Sequence, residues 1–290
     1  MLPISMIGGV IFHEYMSHIS WISPLLIFCM LTITFTKLKL DEFKITGFHL
    51  SLLAVQFIGC WIVYYSLYFW NPIVAEGAFL CVFMSTATAA PVITGMLGGS
   101  VSVQASYSLL CNMVLAFTAP VFLSWISVEN NIDFMTSFNR ICTQVVPMLV
   151  VPLIFSLLMR KFMPKIHKTL ASHQTISFWM WAVALFIVMG NAVSFIMQQP
   201  ISQLSTMIYL AIVSLVVCCM QFIIGRKIGA KYGDKVVGAQ GLGQKNTILG
   251  LWLSLTYLNP IISVAPAAYI AWQNIINSTQ LYLKSKHGKL

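Results

Sequence analysis

Charge is what this chain has least of. Only 8% of its 290 residues are charged, and seven are acidic, whereas a soluble globular domain is about 25% charged. With 59% hydrophobic residues and a mean hydropathy of +0.86, that scarcity excludes a soluble protein and predicts an integral membrane protein. Signatures of chemistry are also missing. No nucleophile–base constellation, phosphate-binding loop or metal-ligand cluster stands out, so the chain does not read as an enzyme and no metal or organic cofactor is expected. Seven cysteines are scattered along it. The one close pair, Cys218 and Cys219, lacks metal spacing, so the thiols read as small apolar packing groups. No basic n-region precedes the first apolar stretch, so no cleavable signal is expected. His13 and Glu14 are adjacent and do not face each other on a helix. His49 reads as a residue of the membrane interface.

What is present is a succession of apolar runs. A helical span needs about 20 such residues, and ten candidates are legible: 2–14, 19–36, 47–70, 73–97, 100–127, 141–159, 175–198, 201–225, 236–257 and 260–282. The polar stretch 129–140 reads as a surface helix. Basic residues test this count. They fall at Lys37, Lys39 and Lys44; at Arg160, Lys161, Lys165 and Lys168; at Arg226, Lys227, Lys231 and Lys235; and at Lys284, Lys286 and Lys289. With ten spans all four clusters share one side, and only Arg140 lies opposite, with Lys245 inside a span. The positive-inside rule then predicts a multi-pass cell-membrane protein with both termini cytoplasmic. The net charge of +9 is therefore a topology signal, with anionic lipid as its partner, and not a nucleic-acid footprint.

Spans four and nine are interrupted. In span four "VAEGAFLCVFM" is followed by "STATAAP", and Pro91 removes a donor and disfavours helix at Ala90. In span nine "GAQGLGQKNT" precedes "ILGLWLSLTYL", and Gly241 and Gly243 weaken helix. The run 248–258 covers only about 16 Å at helical rise, half a membrane. Each interrupted span is fourth in a set of five, and five is odd. The chain thus predicts an all-α membrane protein of ten helices, a single transporter unit over 1–290 built from two inverted five-helix repeats, 1–127 and 141–283. Paired interruptions at equivalent positions point to a transporter's midplane site. The following spans carry polar stripes: Gln104, Ser108 and Asn112 on the fifth, Gln273 and Asn277 on the tenth. Interhelical hydrogen bonding is the alternative reading of these stripes.

The stretch "STATAAPVITGMLGGSVSVQASYSLLCN" resembles the fourth and fifth helices of the bile acid:sodium symporter family. "GLGQKNT" resembles its ninth-helix crossover, and "TKLKLDEF" resembles the end of its second helix and the following loop. This resemblance implies a core domain of spans 3–5 and 8–10 and a panel of spans 1, 2, 6 and 7, working by alternating access on an organic anion. It places substrate contacts at Thr88 and Asn246; proximity adds Thr247, Gln104 and Gln244. The family's sodium residues carry over incompletely. One site keeps its hydroxyl as Ser108, but its Ser-Asn pair falls on Ala90 and Pro91, and its glutamate on Gly241. The other keeps Gln56 but has Lys245 in place of a glutamine. Conventional sodium coupling is therefore not expected.

Lys245 instead puts an ammonium where a sodium ion would sit, donating to Gln56 and to carbonyls of the breaks. A charge at mid-membrane costs about 2.5–3.5 kcal/mol on insertion scales, so it needs partners. Glu14 and Glu76 read as lying near the outer ends of their spans and do not compete for it. Burial weighs against the charge and a bound anion weighs for it, which makes Lys245 a candidate for proton coupling. Its other reading is a side chain that snorkels to the cytoplasm. The expected cargo is a small organic anion: bile-acid-like, a sulfated steroid or a small carboxylate, a class that suits half-helix N-termini. The alternatives are a related crossed-helix carrier, such as a proton-coupled antiporter or arsenite exporter, and a non-transporting membrane sensor. Neither break holds the cysteine or aspartate those carriers want. Oligomeric state is left open by these features.

Overall fold

The computed structural model describes residues 2–19, 21–36, 44–128, 133–172 and 175–287, and every regular element among them is a helix. Lys37, Lys39, Lys289 and most of "TKLKLDEF" lie outside the described residues. In chain order the helices begin with α1 (Leu2–Ile11), α2 (His13–Met16), α3 (Ile22–Phe35), α4 (Gly47–Tyr68), α5 (Pro72–Phe83), α6 (Ala90–Met96) and α7 (Val101–Val128). There follow α8 (Phe134–Phe162), α9 (Pro164–Ser172), α10 (Thr175–Met197), α11 (Leu204–Lys231), α12 (Lys235–Gly243), α13 (Thr247–Tyr257) and α14 (Val264–His287). Four stretches are long and apolar enough to cross a membrane: Gly47–Tyr68, Val101–Ile126, Phe134–Phe162 and Ile201–Lys231. The protein is an all-α membrane protein.

One local expectation is corrected. The polar stretch 129–140 is not a separate surface helix: from Phe134 onward it forms the first turns of α8, whose N-terminus Asp133 caps by accepting from the Thr136 N–H at 3.0 Å. Residues 129–132 lie outside the described part. A separate short helix falls instead at α9, which carries Lys165 and Lys168 and buries no residue. His49 is buried at the start of α4, accepting from the Thr46 N–H on Nδ1 at 3.0 Å and meeting the Val103 carbonyl through Nε2 at 3.1 Å.

Two compact units divide the chain. One comprises Met1–Lys39, Met113–Pro200 and Leu251–Ile261; the other comprises Leu40–Asn112, Ile201–Gly250 and Ile262–Leu290. In the first, α1 and α10 approach through small residues, for a Cβ on Gly9 would stand 2.5 Å from the Phe186 carbonyl oxygen. In the second, α11 and α12 lie backbone to backbone. A Cβ on Gly225 would collide with the Gly238 carbonyl, and a Cβ on Gly238 with the Gly225 carbonyl. Close approach of this kind is how helices associate where water cannot drive them together. Gly225→Ala should therefore cost at least the about 1–3 kcal/mol of an overpacked core, read as a lowered melting temperature in detergent.

The second unit also positions its short helices by capping. Asn71 accepts from the Val74 N–H at the start of α5, where Pro72 occupies the first turn and needs no donor. Asp234 accepts from the Val236 and Val237 N–H groups of α12 at 3.1 and 2.9 Å, and from the Ser100 N–H just ahead of α7 at 2.8 Å. One carboxylate thus ties two helix starts together. Asp234→Ala should destabilise by about 2 kcal/mol, the upper end for a lost N-cap, with Asp234→Asn intermediate in the same melt.

Candidate functional site

Both interrupted spans are broken in the structure, at "STATAAP" and within "GAQGLGQKNT", though not at the proline and glycines themselves. The first break covers residues 84–89, between α5 and α6; the second covers 244–246, between α12 and α13. Pro91 opens α6 rather than ending a helix, because a first-turn residue has no intrahelical use for its N–H. Ala90 is accordingly helical. Gly241 and Gly243 lie inside α12, where they admit neighbours: a Cβ on Gly243 would stand 2.5 Å from the Phe222 ring, and one on Gly241 would stand 3.1 Å from Tyr107.

The two breaks cross and bond to each other. Thr86 and Lys245 form an antiparallel bridge. The Ala87 N–H donates to the Gln244 carbonyl at 2.9 Å, and the Asn246 N–H donates to the Ser85 carbonyl at 2.8 Å. In hydrocarbon an unpaired backbone group costs several kcal/mol, and here each break satisfies the other. The carbonyls that α5 and α12 leave open at their C-termini are met by side chains. Gln56 donates through Nε2 to the carbonyls of Phe83 and Met84 at 3.0 and 3.1 Å. Thr86 Oγ1 donates to the Gly241 carbonyl at 2.8 Å, and Tyr269 OH to that of Gly243 at 2.9 Å.

Lys245 belongs to the same set. Its Nζ donates to the Val82 carbonyl at 2.9 Å, its own N–H donates to Gln273 Oε1 at 2.9 Å, and the residue is 1% exposed. It therefore does not snorkel. Gln56 is not its partner either, since the Gln56 oxygen accepts from Tyr107 OH at 3.1 Å and from the Cys111 thiol at 3.5 Å. The Lys245 amine sits at the C-terminal end of α5, where the helix dipole favours a cation.

The other predicted residues are distributed around this crossing. Thr88 and Asn246 are partly exposed; Gln104, Ser108, Gln244 and Thr247 are buried. The Asn246 Oδ1 caps α13 by accepting from the Leu249 N–H at 3.3 Å. Gln104 reaches Ser108 Oγ at 3.5 Å, and Asn112 donates to the Ser108 and Thr86 carbonyls at 2.7 and 3.4 Å. Gln244 accepts from Asn277, whose oxygen accepts from Gln240 Nε2 at 2.9 Å. Several buried polar atoms have no hydrogen-bond partner among the described residues: Ser85 Oγ, Gln104 Oε1, Asn112 Oδ1 and Gln244 Nε2. Such groups are expensive in a static fold and ordinary at a site that receives a ligand, an ion or water.

No protein-family model matches the chain, and no characterised protein shows a significant match to it. The case for function therefore rests on the geometry. Sequence reasoning missed Thr86, Tyr107, Gln221, Gln240 and Tyr269. Gln221 bonds both the Cys81 carbonyl and Tyr269 OH, at 3.2 and 3.0 Å. Polar side chains in apolar spans were the available signal; their partners lie in distant segments. The same unit also holds a cavity of about 590 Å³ where α4 and α7 begin, walled in part by Lys44, His49, Ser106, Tyr232 and Asp234.

Proposed function

We propose that the protein is a secondary transporter of an organic anion working by alternating access, with Lys245 as a built-in cation in place of a conventionally bound sodium ion. The observation that carries this reading is the pair of crossed, mutually bonded breaks with a buried ammonium at their centre. Irregular backbone at membrane depth marks substrate paths, and an intramembrane lysine is a functional residue by default. The exposed parts of Thr88 and Asn246, beside the start of α13, offer donors to a carboxylate or sulfate, and a helix N-terminus attracts an anion. Ten spans in two inverted repeats, with both termini cytoplasmic, remain the topology that fits the basic clusters.

The test is uptake into proteoliposomes of a bile acid, a sulfated steroid and a small hydroxy acid, each in sodium and in choline. Uptake of at least one, equal in both salts and lost in Lys245→Met, is the expected result. Uptake that appears only with sodium would overturn the built-in cation, and uptake of none would overturn the cargo class. A second reading, proton coupling, is favoured by the ammonium's bond to a carbonyl rather than to a carboxylate. It predicts uptake that follows an imposed pH gradient in the wild type and not in Lys245→Met.

A further inference from the structure

A second cavity, of about 380 Å³, lies wholly within the first unit. Its volume is in the range of small-molecule sites, and its lining is unlike the rest of this chain. Trp21 and Trp252 supply two indole walls, and Ser23, Asn191 and Thr256 supply polar groups. Arg140 supplies the charge, and no carboxylate lines the cavity among the described residues. Ser23 is 2% exposed, and its hydroxyl has no hydrogen-bond partner among the described residues. A buried hydroxyl left unpaired beside a cavity is a donor available to whatever enters it.

The arginine is held in place. Its Cζ stands 5.7 Å from the centroid of the Tyr257 ring, a cation–π arrangement. Tyr257 is fixed in turn, its hydroxyl donating to Gln144 Oε1 at 2.5 Å and its ring meeting Trp252 edge-on at 5.5 Å. Gln144 lies one turn after Arg140 on α8, so one helix face carries both the charge and the tether of the ring beneath it. Arginine stays charged at any working pH, and its planar fork matches a carboxylate bidentately. Flat aromatic walls favour a flat apolar body.

We propose that this cavity binds an aromatic carboxylate, with Arg140 receiving the carboxylate, Ser23 donating to it, and the ring lying against Trp21 and Trp252. Its role as a collecting site on the face opposite the basic loops rests on the transport reading above; the binding itself does not.

The experiment is calorimetric titration of the full-length protein in lipid nanodiscs with 2-naphthoate and its neutral analogue 2-naphthamide. The acid is expected to bind at least about tenfold tighter than the amide. Arg140→Gln should abolish that preference, and Arg140→Lys should retain part of it. Equal binding of acid and amide to the wild type overturns the proposal. So does acid binding that survives Arg140→Gln but is lost in Lys245→Met, an outcome that would leave the transport reading standing. The converse, binding intact but transport absent, sinks the transport reading alone. Should Arg140→Gln fail to fold, the indole emission decides. Acid, but not amide, must quench a component present in wild type and missing from Trp252→Phe, and quenching identical in the two proteins counts against the site.

Discussion

Lys245→Met is expected to stop transport while leaving the melting temperature almost unchanged. The lysine is buried at the crossing and donates to the Val82 carbonyl. Methionine has similar bulk and removes a charge whose burial costs about 2.5–3.5 kcal/mol on insertion scales. Against that, the Val82 carbonyl loses its donor, a penalty of about 1–3 kcal/mol, and α5 loses a cation at its C-terminus. The terms nearly cancel, so stability hardly moves. Transport should fall by roughly two orders of magnitude, the usual effect of removing one preorganised group that faces developing or bound charge. Melting in detergent and proteoliposome uptake check the two halves. A variant that melts far lower but still transports would make Lys245 a helix cap and nothing more.

Gln56→Leu should have the largest effect on stability. One amide serves four groups: its nitrogen donates to the Phe83 and Met84 carbonyls, and its oxygen accepts from Tyr107 and Cys111. Leucine fills the volume and orphans the two carbonyls and the phenol. At about 1–3 kcal/mol for each buried polar group left unpaired, the loss should be about 3 kcal/mol or more. The cycle with Tyr107→Phe discriminates. If the phenol's orphaning is part of the cost, the double variant recovers some of it, giving a coupling energy between the two sites. Strict additivity, or a single variant that melts like wild type, would show that the network does not hold the end of α5.

The broken helices were legible because glycine, proline and lysine interrupt apolar runs at two places. Their places were legible to within a few residues, but the roles of the proline and glycines beside them were not. Pro91 and Gly241 read as breakers from intrinsic preference, but a proline suits a first turn and a glycine suits a close contact, so both ended inside helices. The burial of Lys245 was expected from its place in the second break, yet its partners were expected to be Gln56, which matches an ion position of the family the chain resembles, and carbonyls of the breaks, whereas Val82 lies within α5 and carries no side-chain signal at all. The pairing of Thr86 with Lys245 is written in no local pattern, since register between remote segments depends on the packing of everything between them. Arg140 stood out from the charge count alone, as the one basic residue off the common side; the aromatic ring under it came only with the structure.

The crossing also sets an order of events during synthesis. Thr86 bonds a residue 155 positions later, and Lys245 reaches one 163 positions earlier. A ribosome that has released α5 and α6 has made only half of each pair. Until the second break, 244–246, emerges, the Ser85 carbonyl and the Ala87 N–H lack the partners they have in the finished fold, in a medium that supplies none. The first broken span must therefore wait, shielded by water or by an insertion factor, and lock only when the second arrives. A nascent chain ending before residue 235 should stay open to proteases at 84–89, and one that includes α13 should close.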